Sequence, residues 1–221
     1  MLFRSRPAYP AEVITPIPAT LGWQVDVFSQ DGVLPDTRAR RQNLLGSFLH
    51  TGNWIDLAEF RKHDGIYVAA PSSMKLRGYL YTESDDEMFF AVHFNNFAAK
   101  TVDQNRTRLI SCKVTMKMNG SATVIDRVIK IDTRTARAEL RADKPVTLDG
   151  GGWHKMEAKV ACQLPDFINA SDIAVRICAR RGGENSYAPV QPVTPLEDKS
   201  ISRIFSSSTD AAPQSPAGQS I

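Results

Sequence analysis

The chain has 221 residues and a mass of 24.4 kDa, which is enough for one domain of ordinary size with additional segments. Hydrophobic residues make up 42% and charged residues 23%, and the 13 Gly and 13 Pro are ordinary counts, so the chain can bury a core and is neither collagen-like nor of low complexity. The formal net charge of +3 is too small by itself to identify a polyanion-binding protein.

The chain begins with a proline-containing segment and continues into a strand. Pro7, Pro10, Pro16 and Pro18 cannot lie in a regular helix or a central strand, so residues 1–20 are predicted to form an extended arm. Apolar residues then alternate with Gly22, Gln24 and Asp26, which is typical of a half-buried strand; they are Leu21, Trp23, Val25 and Val27.

In the next segment, the apolar residues have the spacing of an amphipathic helix. Leu44, Leu45, Phe48 and Leu49 would share one face of a helix that Asp36 caps and that ends near Gly52. A second short helix is predicted over residues 53–63.

In the rest of the predicted globular domain, apolar and polar residues alternate, as is typical of β-strands. Short strands are predicted at 66–70, 76–82 and 88–94, and the acidic turn at 84–87 predicts a hairpin between the last two. The clearest strand covers 109–118, and Asn119-Gly120 predicts a hairpin that returns over 122–131. A weaker strand at 136–140, a long strand that follows the glycine turn at 150–152, and a strand at 173–179 complete the body.

These elements predict an α+β fold, in which a predominantly antiparallel twisted β-sheet packs against one or two helices. Residues 1–20 would be the extended arm and residues 21–181 a single β-rich globular domain. The Ser- and Pro-rich composition of residues 182–221 predicts a disordered tail, because it offers little apolar surface to bury.

The cysteines and the apolar runs bear on the compartment. Cys112, Cys162 and Cys178 are odd in number and widely spaced, which favours reduced thiols. No apolar run reaches the ~18 residues of a transmembrane helix, and the first residues lack a secretory apolar stretch. The sequence therefore predicts an intracellular protein that is not secreted.

The histidines and acidic residues form no recognisable catalytic or metal-binding motif. His50, His63, His93 and His154 have no metal-ligand spacing, and no motif for a cofactor is found, so neither a metal nor a cofactor is predicted. Asp85 and Asp86 could serve as an acid–base pair, but a hairpin turn accounts for them more simply. The protein is predicted not to be an enzyme, although an activity that depends on Asp85, Asp86 or His93 stays open.

Two basic clusters are the candidate sites for an anion or a partner. Residues 98–144 contain eleven Lys and Arg against five Asp and Glu, and their candidate binding residues are Lys113, Lys117, Arg134, Arg137 and Arg141. The other cluster is Arg38, Arg40 and Arg41, in the first turns of the predicted helix. Cations there oppose the helix dipole, which indicates either an anionic partner or tolerance on an exposed surface.

The order of these elements resembles that of rhabdovirus matrix proteins. The resemblance rests on the proline-bearing arm, the strand Gly22-Trp23-Gln24-Val25-Asp26-Val27, the turn Ser29-Gln30-Asp31-Gly32, the amphipathic segment at 37–49 and the late strands at 153–164 and 173–179. PPxY and PTAP motifs are absent, and the Lys-rich N-terminal segment of some members is reduced to Arg4 and Arg6, which points toward a plant-infecting or divergent member.

The resemblance implies a structural, matrix-like protein of the host cytoplasm or nucleus and of the virion. Its basic faces would bind a viral nucleocapsid or anionic lipid, and its self-association into a homo-oligomer would condense the nucleocapsid. One alternative is a bacterial or plasmid-encoded intracellular adaptor or inhibitor that binds one protein partner. Another is a nucleic-acid-binding protein of the movement type, although residues 98–144 contain no aromatic residue on which bases could stack.

Overall fold

A computed structural model describes residues 13–14, 19–28, 44–57, 73–101, 108–195 and 205–206. In these segments the chain forms sixteen strands, and every strand pair is antiparallel. The strands are β1 (Val13–Ile14), β2 (Ala19–Leu21), β3 (Trp23–Phe28), β4 (Leu44–His50), β5 (Ile55–Asp56), β6 (Ser73–Thr82), β7 (Asp86–Asn96), β8 (Leu109–Met118), β9 (Ala122–Asp132), β10 (Arg137–Arg141), β11 (Val146–Leu148), β12 (Gly152–Gln163), β13 (Ile173–Arg181), β14 (Ala188–Pro189), β15 (Val193–Pro195) and β16 (Phe205–Ser206).

Two large sheets form a sandwich. The eight-stranded sheet has the order β2-β15-β6-β12-β8-β9, with β3 paired to β6 and β4 paired to β3. The six-stranded sheet has the order β10-β7-β13-β14, with β11 paired to β7 and β5 to β13. β1 and β16 form a separate two-stranded ribbon.

The core lies between the two large sheets. Because successive side chains of a strand point to opposite faces, each long strand contributes every second residue to it. The eight-stranded sheet contributes Leu76, Val114 and Val160, and the six-stranded sheet contributes Phe90 and Ile177, all in one buried cluster. The opposite face of each sheet therefore carries the polar side chains.

Several predicted strands are confirmed. β8 and β9 form the predicted hairpin, in which Asn119, Gly120 and Ser121 connect the paired residues Met118 and Ala122. Asn119 and Gly120 have positive φ, 47° and 76°, a backbone region that Asn and Gly favour in tight turns. The weak strand at 136–140 is β10, and the glycine turn at 150–152 leads into β12. β13 buries Ile173, Val175 and Ile177 in the core.

The α+β prediction is wrong, because the described part of the chain is antiparallel β-sheet with only two short 3₁₀ turns (Phe97–Lys100 and Ala170–Asp172). The spacing that predicted a first helix belongs to β4, in which Phe48 lies opposite Val25 of β3 and packs against the core. The second predicted helix begins where β5 pairs with β13. Pairing with distant strands here overrides a local apolar pattern.

The predicted hairpin between 76–82 and 88–94 is not formed. β6 belongs to the eight-stranded sheet and β7 to the six-stranded sheet, so the acidic turn carries the chain from one sheet to the other. Leu76 and Phe90 consequently both face the core, from opposite sides. Each of these long strands pairs instead with a long partner, β6 with β12 and β7 with β13.

The body of the sandwich extends beyond Arg181. β14 pairs with β13, and β15 pairs with both β2 and β6; both strands lie in the segment predicted to be a disordered tail. Leu21, predicted as a core residue, is 61% exposed. The predicted strand at 66–70 lies outside the described residues.

The prediction of reduced thiols is wrong for two of the three cysteines. Cys112 of β8 lies directly opposite Cys162 of β12, and their sulfurs form a disulfide bond. Cys178 is free and buried. The sequence did not reveal the bond because the partner of each strand was unknown, and the register alone brings these two residues together.

Candidate binding surfaces

The outer face of the eight-stranded sheet carries a cluster of lysines. Lys75, Lys113, Lys117, Lys155 and Lys159, here called the lysine face, lie on three adjacent strands, β6, β12 and β8. Their strand neighbours point into the core, so alternation places these five side chains on the solvent side. Lys113 and Lys117 were predicted from the sequence as binding residues.

Some of these lysines have carboxylate partners. Glu157 lies 3.2 Å from the Nζ of Lys75 and 3.4 Å from that of Lys155. Asp126 of β9 pairs with Lys113. Among the described residues, Lys117 and Lys159 lie within ion-pair distance of no carboxylate.

Lys159 is in an electrostatically unfavourable position. It lies directly opposite Lys75 in the β6–β12 register, and like charges directly opposite each other destabilise a sheet. Burial, followed by the charge of Lys75, lowers the pKa of Lys159. An anion bound at this position would relieve that repulsion.

An aromatic pair borders the lysine face. Tyr81 of β6 lies opposite Trp153 of β12, with ring centroids 5.2 Å apart. Both side chains are partly exposed, and the next outward-facing residue on β12 is Lys155. The face therefore combines cations with flat apolar groups at one end.

The outer face of the six-stranded sheet has a different composition. The guanidinium of Arg176 lies 4.4 Å from the ring centroid of Trp54, and that of Arg180 lies 4.0 Å from Phe89 and 5.5 Å from Tyr187. These five residues are here called the arginine–aromatic face. At such distances the cation is attracted by the ring electrons, which holds the arginines flat against the sheet.

A row of polar side chains crosses this second face. Arg176 of β13, His93 of β7 and Glu139 of β10 occupy one register row. The Nη2 of Arg176 lies 3.4 Å from Nδ1 of His93, and Oε2 of Glu139 lies 3.5 Å from its Nε2. Burial and then the charge of Arg176 lower the pKa of His93, so the imidazole is neutral near pH 7.

The predicted binding residues do not form one site. Lys113 and Lys117 lie on the outer face of the eight-stranded sheet, whereas Arg137 and Arg141 lie on β10 of the other sheet. Arg134 lies in the turn between β9 and β10. Arg38, Arg40 and Arg41 lie outside the described residues.

Two of the predicted arginines have internal partners. Arg134 lies 3.0 Å from the carboxylate of Asp132, and Arg141 lies 2.5 Å from that of Glu139. Their charges are therefore partly neutralised within the chain, and neither arginine lies on the lysine face.

Sequence reasoning missed Lys75, Lys155 and Lys159. The count of charges along residues 98–144 could not include them, because β6 and β12 lie outside that window. Their alternation with apolar residues does indicate an outward face. The adjacency of the three strands is the information that the sequence lacks.

The acids that were considered for catalysis have structural partners. Asp85 accepts a hydrogen bond from the backbone N–H of Gly150 at 2.7 Å, and Asp86 lies 2.9 Å from the guanidinium of Arg181. Both contacts fix the turn that carries the chain between the sheets.

Among the residues that the structure describes, no group of three His, Cys, Asp or Glu side chains is arranged to hold a metal ion. Nor is any helix in that part of the chain long and apolar enough to cross a membrane.

No protein family and no curated protein matches the sequence. Among solved structures, the chain is similar to the PA14 domain of the MpAFP antifreeze protein, with 11% identity, a TM-score of 0.46 and coverage of 81% of this chain and 95% of that one. It is also similar to the epithelial adhesin 9 A domain from Candida glabrata, solved in complex with Galb1-3GlcNAc (11% identity, TM-score 0.43, 88% and 98% coverage).

A β-glucosidase from Kluyveromyces marxianus is also similar, with 11% identity and a TM-score of 0.44 over 73% of this chain. The chain spans only 17% of that enzyme. At these identities and TM-scores, none of the three likenesses carries an argument about function.

Proposed function

We propose that the protein is a non-catalytic binding domain that holds a polyanionic partner on the lysine face. The observation that carries the proposal is the juxtaposition of Lys75 and Lys159 across β6 and β12, beside Lys117, which lies within ion-pair distance of no carboxylate among the described residues. Such an arrangement costs stability in the free protein. Glu157 offsets part of this cost through its ion pair with Lys75, and a bound anion would offset the rest.

The matrix-like role is one form of this proposal, in which the polyanion is a viral nucleocapsid. The strand β4 occupies the place of the amphipathic helix, so the element order that suggested the rhabdovirus matrix proteins no longer supports that role. The lysine face supports it independently, as a surface for phosphate groups. Anionic lipid remains a competing ligand of the same face.

The disulfide bears on the compartment of this function. A bond between Cys112 and Cys162 is typical of an oxidising environment, which opposes the intracellular location predicted from the sequence. The polyanion proposal requires only that the lysines are charged, so it applies in either compartment.

The test uses two double variants that remove the same charge from different places. Lys117→Gln with Lys159→Gln alters the lysine face, whereas Lys100→Gln with Lys144→Gln removes two lysines that are exposed elsewhere. Binding to a single-stranded oligonucleotide, to polyglutamate and to phosphatidylserine vesicles is measured between 50 and 200 mM salt, the range over which phosphate contacts weaken strongly.

We expect the native chain to bind the oligonucleotide and to lose affinity with rising salt. In the lysine-face variant, the slope of log K against log salt should become less negative by about 1.4, since each lysine contributes about −0.7 on single strands. The slope of the control variant should change less. Equal losses in both variants, or no binding to any probe at low salt, would contradict the proposal. Selective binding to polyglutamate would indicate that the polyanionic partner is an acidic protein, and selective binding to the vesicles would indicate a membrane surface.

A second candidate function is an adaptor that docks one protein through the arginine–aromatic face. Arg, Trp and Tyr are the residue types that dominate the energy of protein interfaces, and here Arg176 and Arg180 are held in place by rings. Arg176→Glu with Arg180→Glu should abolish such a heterocomplex and leave oligonucleotide binding intact. If only the Lys117→Gln and Lys159→Gln variant lost the heterocomplex, the protein partner would dock on the lysine face instead.

A further inference from the structure

β9 is a long strand at the edge of the eight-stranded sheet. It has eleven residues and, in the described part of the chain, pairs only with β8. Edge strands of this length present a row of unpaired backbone groups, to which another strand can add.

The direction of these backbone groups follows from the register. The N–H of Thr133 donates to the carbonyl of Arg108 at 3.0 Å, and the register is unbroken from Ile125 to Asp132. Odd-numbered residues of β9 therefore bond to β8. Because hydrogen-bonding direction alternates along an antiparallel strand, Asp126, Val128 and Lys130 direct their N–H and C=O groups toward the open edge.

The same three residues share the outer face of the sheet. Val128 is 48% exposed, which leaves an apolar side chain in water between an acid and a base. The order acid–apolar–base is self-complementary when a strand is reversed. A second copy of β9 running antiparallel would therefore meet opposite charges.

The charges select one register for this pairing. With the two-fold axis at Val128, Asp126 lies opposite Lys130 of the second copy, and the reverse pair forms across the axis. An axis at Asp126, at Arg127 or at Lys130 would place like charges directly opposite each other, and an axis at Ile129 would place Asp126 opposite Asp132. Opposite charges at facing positions stabilise a sheet and like charges destabilise it.

We propose that two copies of this chain pair through β9 in this register, with Val128 facing its own copy. At the axis, each Val128 donates its N–H to the other Val128 carbonyl, because both groups point outward. The two eight-stranded sheets then become continuous, and both lysine faces lie on the same side. The pairing does not depend on anion binding, so each proposal can fail without the other.

Disulfide trapping tests the register directly. Residues in a hydrogen-bonded antiparallel pair have Cα atoms about 5.5 Å apart, which is within the range that a disulfide spans. Val128→Cys should therefore form a covalent dimer on mild oxidation. Thr123→Cys, exposed on the same strand, is the matched control, since its two copies would lie more than about 30 Å apart at about 3.4 Å per residue.

Charge reversal provides a second measurement. Sedimentation equilibrium should show a monomer–dimer equilibrium for the native chain. Lys130→Asp should weaken it about tenfold, because attraction becomes repulsion at two symmetric positions. Asp126→Lys combined with Lys130→Asp should restore part of the affinity. A native chain that stays monomeric at millimolar concentration, or equal cross-linking of Val128→Cys and Thr123→Cys, would overturn the proposal.

Discussion

The Nδ2 of Asn119 lies 3.2 Å from the Nδ1 of His154, a contact that joins the β8–β9 turn to the start of β12. Asn119 Oδ1 accepts from the N–H of Lys155 at 2.9 Å, so its amide nitrogen is the group that donates to the imidazole. The Nε2 of His154 lies 2.9 Å from both Thr82 Oγ1 and the carbonyl of Asp149. Since Thr82 also donates to that carbonyl at 2.7 Å, the pattern fits a neutral ring with its proton on Nε2.

Stability should consequently decrease in mild acid. Burial lowers the pKa of His154, so the unfolded chain binds the proton more readily than the folded chain. The stabilisation is complete above the unfolded pKa of about 6.5 and is lost as the pH falls toward the folded value, by at most about 1.4 kcal/mol per pH unit. Urea unfolding at pH 7.5 and 5.5 measures the effect.

The controls for this pH dependence use both histidines with lowered pKa. His154→Gln and His93→Gln should each remove part of the pH dependence, because burial lowers the pKa of both imidazoles. A native chain equally stable at both pH values would contradict the neutral buried ring.

The Cys112–Cys162 disulfide leads to two predictions, one for the number of titratable thiols and one for the free energy of unfolding. The denatured, unreduced protein should titrate one thiol, that of Cys178. Because the bond closes a sequence separation of 50 residues, the variant Cys112→Ala with Cys162→Ala should lose roughly 4 kcal/mol of unfolding free energy. Cys178→Ala, which removes a buried thiol outside any disulfide, is the comparison. Three titratable thiols would show that the bond does not form.

Alanine substitutions at two glycines distinguish the cost of backbone strain from the cost of steric overlap. Gly120 has φ of 76° and open space around its missing side chain, so Gly120→Ala should cost about 1 kcal/mol through the backbone alone. In Gly78→Ala the new Cβ would lie 2.5 Å from the Cβ of Pro192, and such overpacking costs about 1–3 kcal/mol. Chemical denaturation of both variants measures the two costs; a neutral Gly78→Ala would refute the close approach of Pro192.

Asp26 is a buried acid with two partners. It is 4% exposed and accepts from Arg77 at 2.6 Å and from Ser47 at 2.7 Å. Removing one member of a buried ion pair leaves an uncompensated charge, so Arg77→Leu should cost about 3 kcal/mol or more. Adding Asp26→Asn should recover part of this loss, and urea unfolding of the single and double variants measures it. An Arg77→Leu variant as stable as the native chain would contradict the pairing.

Local patterns predicted the parts of the fold whose partners are near in sequence. The β8–β9 hairpin was predictable because Asn119-Gly120 specifies the turn and alternation specifies the buried face. The helix predicted around Leu44 to Leu49 failed, because its apolar residues also fit β4, and only the distant strand β3 decides between the two conformations. The lysine face was half predictable for the same reason: Lys113 and Lys117 are neighbours on one strand, whereas Lys75 and Lys159 meet only through the sheet.

β15 joins β2 to the eight-stranded sheet. Thr194 Oγ1 donates to the buried carbonyl of Gly22 at 2.6 Å, and Val193 lies opposite both Leu21 and Tyr79. β2 has no other strand partner in the described part of the chain. The sequence predicted that the globular domain ends at Arg181. Truncating the chain there would remove β15 and so leave β2 without its strand partner in the described part of the chain. A C-terminal deletion would therefore destabilise an N-terminal strand.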